Sequence, residues 1–248
     1  MKTQESQRAI GTSGRTGIDW RILVVWTGMA LAGALLVFTA LIGAIIPPLI
    51  VFAVLYGVAV WLTRRGGRGG TIMSIVLSVL FLGSNAPFIV PSLSVPASTV
   101  DFVMTGVLVV LALSNLVSAI AALRSSSTGA RAGLMGRATV ALLLIVVAIA
   151  VVARVTYDSP PAQTGDVELV AQDFEFSTNT IESEGGEVSV FVDNKDSALH
   201  TFTVEELDVD LQVPGGSTAR ITFDAAAGSY EFICVPHETD MKGTLEVE

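Results

Sequence analysis

The 248-residue sequence contains one cysteine, Cys234, and two histidines, His200 and His237. A single cysteine excludes an intramolecular disulfide and leaves the redox compartment unassigned by cysteine usage. Lysine is equally sparse, with Lys2, Lys195 and Lys242 the only three. Charged residues make up 15% of the chain, against about 25% in an ordinary soluble domain. They are missing altogether from positions 22–63.

The charge that is present is divided. Residues 1–157 hold eleven Lys/Arg and three acids, Glu5, Asp19 and Asp101, whereas residues 158–248 hold twenty acids and three bases. The net charge of −9 is therefore the sum of a +8 part and a −17 part. Such asymmetry implies two separately solvated parts. It excludes nucleic acid as a partner of the acidic part, which phosphates would repel.

The uncharged run between Arg21 and Arg64 is 42 residues long, twice the roughly 20 residues that one bilayer crossing needs. Pro47-Pro48 interrupts it near the middle, because proline removes a backbone donor and clashes with the preceding turn. Two helices joined by a tight hairpin are predicted. Further apolar runs extend from Thr71 to about Val90, from about Phe102 to Leu123, and from about Ala138 to Tyr157. The expectation is five crossings. With the N-terminus inside, the inner segments 1–21, 63–70 and 124–137 carry four, three and three Lys/Arg, and the outer loops carry none. That bias sets orientation and delivers the acidic part to the outer face. A cleaved signal peptide fits poorly, since the first apolar run is too long and follows a polar leader.

No His, Cys, Asp, Glu, Lys or Arg lies in the apolar centre of any span, and Asp101 sits at an edge. Buried ionisable groups mark ion paths and cofactor sites, and without histidine there is no bis-histidine haem. Met29, Met73 and Met104, one in each of three spans, read as packing residues rather than a metal path. Ser114, Asn115 and Ser118 read as interhelical hydrogen-bonding groups, with a polar ligand site as the alternative. The membrane part reads as an anchor.

Asp158–Gly165, with Pro160-Pro161, is a short polar linker. From Val167 the pattern has period two: Val188, Val190 and Val192; His200, Phe202 and Val204; Tyr230, Phe232 and Cys234. Turn signals intervene at Gly185-Gly186, Asn194-Lys195-Asp196, Pro214-Gly215-Gly216 and Ala227-Gly228. Short alternating strands of this kind predict an all-β Greek-key sandwich. The predicted organisation is an N-terminal cytoplasmic segment at 1–21, a five-span α-helical transmembrane domain at 22–157, a linker at 158–165 and the sandwich at 166–248.

The scarce soft ligands cluster. Cys234, His237 and Met241 fall within eight residues, and His200 stands at the end of an inward row. A thiolate, two imidazoles and a thioether form the ligand set of a blue-copper electron-transfer site. Individually, Cys234 reads as a buried hydrophobe, His237 as a loop histidine and Met241 as core. Zinc would suit His200, Cys234 and His237, but it favours regular tetrahedral ligation by sulfur, nitrogen and oxygen, and rarely uses methionine. Pro236 removes one possible N–H donor to the sulfur, a change that tends to raise a copper potential.

The stretches Asn194–Val204 and Tyr230–Val247 carry the sequences NKDSALHTFTV and YEFICVPHETDMKGTLEV. In them, residues from about 166 to 248 resemble the cupredoxin family of plastocyanins, amicyanins, pseudoazurins and halocyanins. The resemblance implies a Greek-key sandwich and one copper ion cycling between Cu(II) and Cu(I). It also implies His200, Cys234 and His237 as strong ligands and Met241 as the weak axial one. Three residues separate His237 from Met241, between the two of amicyanin and the four of plastocyanin. Thr201 stands where several members carry asparagine, so the hydrogen bond that asparagine makes across the ligand loops is expected to be absent or replaced.

The expected function is electron transfer by a membrane-tethered blue-copper carrier rather than an enzyme. Multicopper oxidases and copper nitrite reductases need more histidines, and a dinuclear copper centre needs two cysteines. The alternative is copper delivery, transport or sensing. Expected partners are membrane lipid and a redox partner such as a c-type cytochrome or a membrane oxidase or reductase complex. The acidity of the soluble part has two readings, steering of a basic partner and adaptation to high salt.

Overall fold

The computed structural model describes residues 18–42, 46–124 and 130–248. Lys2, Arg8 and Arg15, and most of the segment expected inside the cell, lie outside the described residues. Among the described residues six helices come first: α1 (Trp20–Ile42), α2 (Pro47–Arg64), α3 (Arg68–Ser84), α4 (Ala86–Ser94), α5 (Thr99–Arg124) and α6 (Ala130–Thr156). The prolines that interrupt the first apolar run open α2, where the missing N–H has no intrahelical partner to lose.

Four of these helices, α1, α2, α5 and α6, are long and apolar enough to cross a membrane. The expected third crossing differs in form. Helix α3 ends at Ser84, and α4 leaves it at an angle of 64°. The break falls at Asn85, with proline in the first turn of α4. Alone, α3 has 17 residues, about 25 Å of helix against a hydrocarbon core of about 30 Å. The count of five crossings holds when the bent pair is taken as one span.

Leu31, Leu35, Tyr56, Phe81, Leu108 and Leu111 form the centre of the bundle. Gly28 allows close packing there, since a Cβ would lie 2.8 Å from the Val60 side chain. Beside it, Asn115 Nδ2 donates to Val24 O and to Thr27 Oγ1, each at 2.9 Å. Tyr56 donates to Ser78 at 3.2 Å, and Ser114 pairs with Thr139 at 2.8 Å. Ser114 and Asn115 therefore join helices, as their polarity in an apolar setting requires. The Ser118 hydroxyl is buried without a partner among the described residues. Arg21, in α1, donates to Gly66 O, in the turn after α2, at 3.0 Å. The start of α1 thus shares one end of the bundle with Arg64, Arg65 and Arg68.

The sandwich contains β1 (Val167–Gln172), β2 (Glu175–Phe176), β3 (Thr180–Ser183), β4 (Gly186–Asn194), β5 (His200–Val204), β6 (Val209–Val213), β7 (Thr218–Ala225), β8 (Gly228–Ile233) and β9 (Lys242–Val247). A four-stranded sheet in the order β2-β1-β4-β7 faces a five-stranded sheet in the order β3-β9-β8-β5-β6. Pairs β1–β4 and β3–β9 are parallel and the others antiparallel. The chain crosses repeatedly between the sheets, as a Greek-key sandwich does.

Leu169, Val188, Val190, Val192, Phe202, Val204, Phe232 and Leu245 fill the space between the sheets. On β4, Val188, Val190 and Val192 point inward, although Phe191 between them is buried too. Alternation does not describe β5, where all five residues are buried. The outer face of β5, bearing Thr201 and Thr203, is covered, and its hydroxyls find partners: Thr203 donates to Asp210 at 2.9 Å, and Thr201 accepts from Val235 N at 2.9 Å.

Candidate metal centre

His200 opens β5, and Cys234 directly follows β8. A 3-10 turn, Val235–His237, carries the second histidine, with Pro236 in its first positions. The loop closes on itself through backbone bonds of 2.9 Å each: His237 N to Cys234 O, Met241 N to His237 O, and Cys234 N to Met241 O. The last of these returns Met241 to the side of Cys234, where both are fully buried with Ala171.

Three donor atoms converge. Nδ1 of His200 lies 3.2 Å from Nδ1 of His237, and each nitrogen lies 3.5 Å from Cys234 Sγ. A triangle with those sides has its centre about 2.0 Å from every corner, which is a metal–nitrogen bond length. Among the described residues this is the one cluster of His, Cys, Asp and Glu donors close enough to hold a metal ion. The donors fit a copper site of the trigonal His₂Cys kind with a weak thioether nearby.

The surroundings fix the donors. Nε2 of His200 lies 2.8 Å from Asp196 Oδ2, so Nε2 carries the proton and Nδ1 presents its lone pair to the cluster. The Asp196 carboxylate also accepts the backbone N–H of Asp173 at 2.8 Å and of Phe174 at 3.0 Å. Asp173 and Phe174 both have left-handed backbone, with φ of 56° and 62°, an unusual conformation for non-glycine residues. The Asp196 bonds hold that turn, and with it the Phe174 ring, edge-on to His237 at 4.9 Å and to His200 at 5.7 Å.

Thr201 N–H donates to Cys234 Sγ at 3.4 Å. Thr201 Oγ1 accepts the Val235 N–H, so threonine supplies the cross-loop bond expected to be absent or replaced at this position.

Burial sets the electrostatics. It lowers the pKa of His200, against the opposing pull of Asp196, and takes His237 down to about 4, with the neighbouring His200 adding to the effect. Both imidazoles are neutral at pH 7 and offer free lone pairs. Burial pushes the Cys234 thiol up, although the N–H groups of Thr201 and His237 oppose it, so a metal must displace a held proton. Burial would also raise the Asp196 carboxyl, but the donors from Phe174, His200 and Asp173 outweigh it and hold it below its ordinary range.

His200, Cys234 and His237 are thus brought together, and Met241 is packed against Cys234. Asp196 and Phe174 were not singled out in the sequence. The acid four residues before His200 is a signal for the first. The position of Phe174 depends on its left-handed turn and has no sequence signal.

Residues 141–247 match the cupredoxin-like domain family. The match begins within α6, ahead of the sandwich. A comparison with curated proteins returns no match. Among solved structures, the chain is similar to the Cu(I) form of a methionine-to-alanine mutant of amicyanin, with 20% identity over 38% of this chain and 95% of that one and a TM-score of 0.32. It is similar to amicyanin from Paracoccus versutus (Thiobacillus versutus), with 20% identity over 35% and 85% and a TM-score of 0.30. A reduced tryptophan-to-tyrosine mutant of amicyanin gives 22% identity over 35% and 86%, with a TM-score of 0.30. The C-terminal sandwich carries a cupredoxin-like domain. Ahead of it lies a helical region with helices long and apolar enough to cross a membrane.

Proposed function

We propose that the protein is a membrane-anchored electron carrier whose sandwich holds one copper ion on the outer face of the membrane. The observation that carries this reading is the converging triangle of His200 Nδ1, His237 Nδ1 and Cys234 Sγ, closed by Met241. In this reading His200, Cys234 and His237 are the strong ligands and Met241 the axial one. Bound copper supplies a one-electron Cu(II)/Cu(I) couple.

The residues do the remaining work. Two strands and a self-bonded loop fix the donors, so little reorganisation accompanies the change of charge. Phe174 and the buried neighbours of Cys234 keep water from the thiolate. His237 is half-buried on the loop, and its outer ring edge is the exit for the electron. No further histidine or cysteine remains for a catalytic metal, which supports a carrier rather than an enzyme. The basic residues of the Arg64, Arg65 and Arg68 turn support an inward orientation of that end, and the acidity of residues 158–248 supports a basic partner such as a c-type cytochrome.

The test is stopped-flow mixing of copper-loaded full-length protein with a reduced c-type cytochrome. One cytochrome should be oxidised for each copper, with a rate that falls as salt rises. Transfer of copper to a chelating acceptor, with no oxidation of cytochrome, would support delivery instead. Orientation is tested by protease added to intact cells, which should cut near Asp158–Thr164. Cleavage only after lysis would contradict an external sandwich.

A further inference from the structure

We infer that Asp101 is a positioning residue for the metal centre, reaching from the membrane-spanning bundle to the backbone beside His200. Its Oδ2 accepts the N–H of Leu199, the residue immediately before His200. Leu199 is 4% exposed, so its N–H depends on this partner rather than on water. The bond is charge-assisted and correspondingly strong. Asp101 is the only acid between Asp19 and Asp158. A lone acid at the end of a span carries a desolvation cost unless it is bonded; Ser98 bonds Asp101 from its own segment, and its other bond lies in the other domain.

The contact belongs to a wider seam. Ser98, fully buried just before α5, accepts the Gly215 N–H at 3.3 Å. At the end of α6, Arg154 donates to Gly216 O at 2.8 Å and to the Ser217 hydroxyl, and Tyr157 donates to Thr218 O at 3.3 Å. The turn at residues 214–217 is therefore held by both helices. It packs in turn on the loop before His200, because a Cβ on Gly215 would lie 2.3 Å from Ser197 O. A cleft of about 270 Å³ runs along the seam, lined by Thr99, Val100, Arg154, Lys195 and Asp196 among others.

His200 thus stands between two carboxylates. Asp196, on the cleft wall, holds its ring, and Asp101 holds the amide before it. The negative charge of Asp101 favours the more positive oxidation state of a metal at His200, and its bond fixes the start of β5. The bundle is then a determinant of the site's potential and not an anchor alone. This deepens the copper reading and rests on it for the potential; the grip on Leu199 does not depend on metal.

The experiment uses the full-length chain in lipid nanodiscs, with Asp101→Asn, Asp101→Ala and, as a charge-neutral control at the same seam, Tyr157→Phe. Three quantities are read: amide exchange at Leu199, the ring nitrogen shifts of His200 in the metal-free protein, and the midpoint potential after copper loading. Asp101→Asn keeps an acceptor and should raise the potential while leaving Leu199 protected. Asp101→Ala should raise the potential, move the His200 shifts and speed Leu199 exchange about tenfold. Tyr157→Phe should leave the potential at its wild-type value. Unchanged potential and unchanged His200 shifts in both Asp101 variants would overturn the inference, even if Leu199 exchange accelerates, because Asp101 would then only fasten the domains. A wild-type chain without a copper couple would overturn the copper reading, while exchange and His200 shifts would still decide whether Asp101 positions the site.

Discussion

The imidazole of His200 and the carboxylate of Asp196 are joined at 2.8 Å between Nε2 and Oδ2, and the same carboxylate holds the turn that carries Phe174. One side chain thereby sets the tautomer of a buried donor and the position of the ring that covers it.

Asp196→Asn should therefore weaken the site without dismantling it. An amide can still meet Nε2, but it no longer stabilises charge on the ring. Cu(II) affinity should fall about 10–100-fold, the usual effect of losing such a partner, and the potential should rise. Competition with a chelator of known affinity measures the first and a redox titration the second. Wild-type affinity in the variant would show that the carboxylate only holds the Phe174 turn.

Thr201 tests a different bond. Thr201→Val preserves shape but removes the hydroxyl that accepts the Val235 N–H. A partly buried donor left unpaired costs about 1–3 kcal/mol. The sandwich should lose stability by that amount in chemical denaturation. Visible colour should persist, because the Thr201 and His237 N–H groups still donate to the sulfur. Loss of colour with unchanged stability would reverse the assignment.

Acid should loosen the sandwich at a second place. Arg220 bonds Asp166 through Nε at 2.9 Å and Nη2 at 2.8 Å, and the Arg220 hydrogen bond holds the Asp166 carboxyl below its ordinary range. Because the folded value is depressed, the pair's stabilisation is complete above the ordinary carboxyl pKa of about 3.9. It is lost as pH falls through the folded value. The melting temperature of wild type should drop below about pH 4, and Arg220→Gln should show a smaller drop over that range. Parallel curves for the two proteins would contradict the role given to the pair.

Much of this was legible in the sequence because it rests on strong local signals. Uncharged runs and prolines announce α1, α2, α5 and α6, and the alternating rows of β4 announce a sandwich. His200, Cys234, His237 and Met241 were recognisable because the chain holds so few side chains of their kind. What was not legible depends on three-dimensional approach. Ser84-Asn85-Ala86-Pro87 marks the close of the third run, but nothing in the pattern shows that the chain goes on there as a second helix at 64° to the first. The burial of Thr201 and Thr203 comes from the covering of an outer sheet face. Phe174 reaches the histidines only through a left-handed turn, and Asp101 meets Leu199 across 98 residues of chain.

The most direct test of the central claim is the visible and paramagnetic resonance spectrum of the full-length protein loaded with copper, beside Cys234→Ser and Met241→Leu. Wild type should bind one copper per chain and show an intense thiolate-to-Cu(II) band with a narrow copper hyperfine splitting. Both features should vanish on reduction and return on oxidation. Cys234→Ser should lose the band entirely, and Met241→Leu should keep it at a higher potential. A colourless wild-type protein that holds its copper only as Cu(I), or a band that survives Cys234→Ser, would contradict the account.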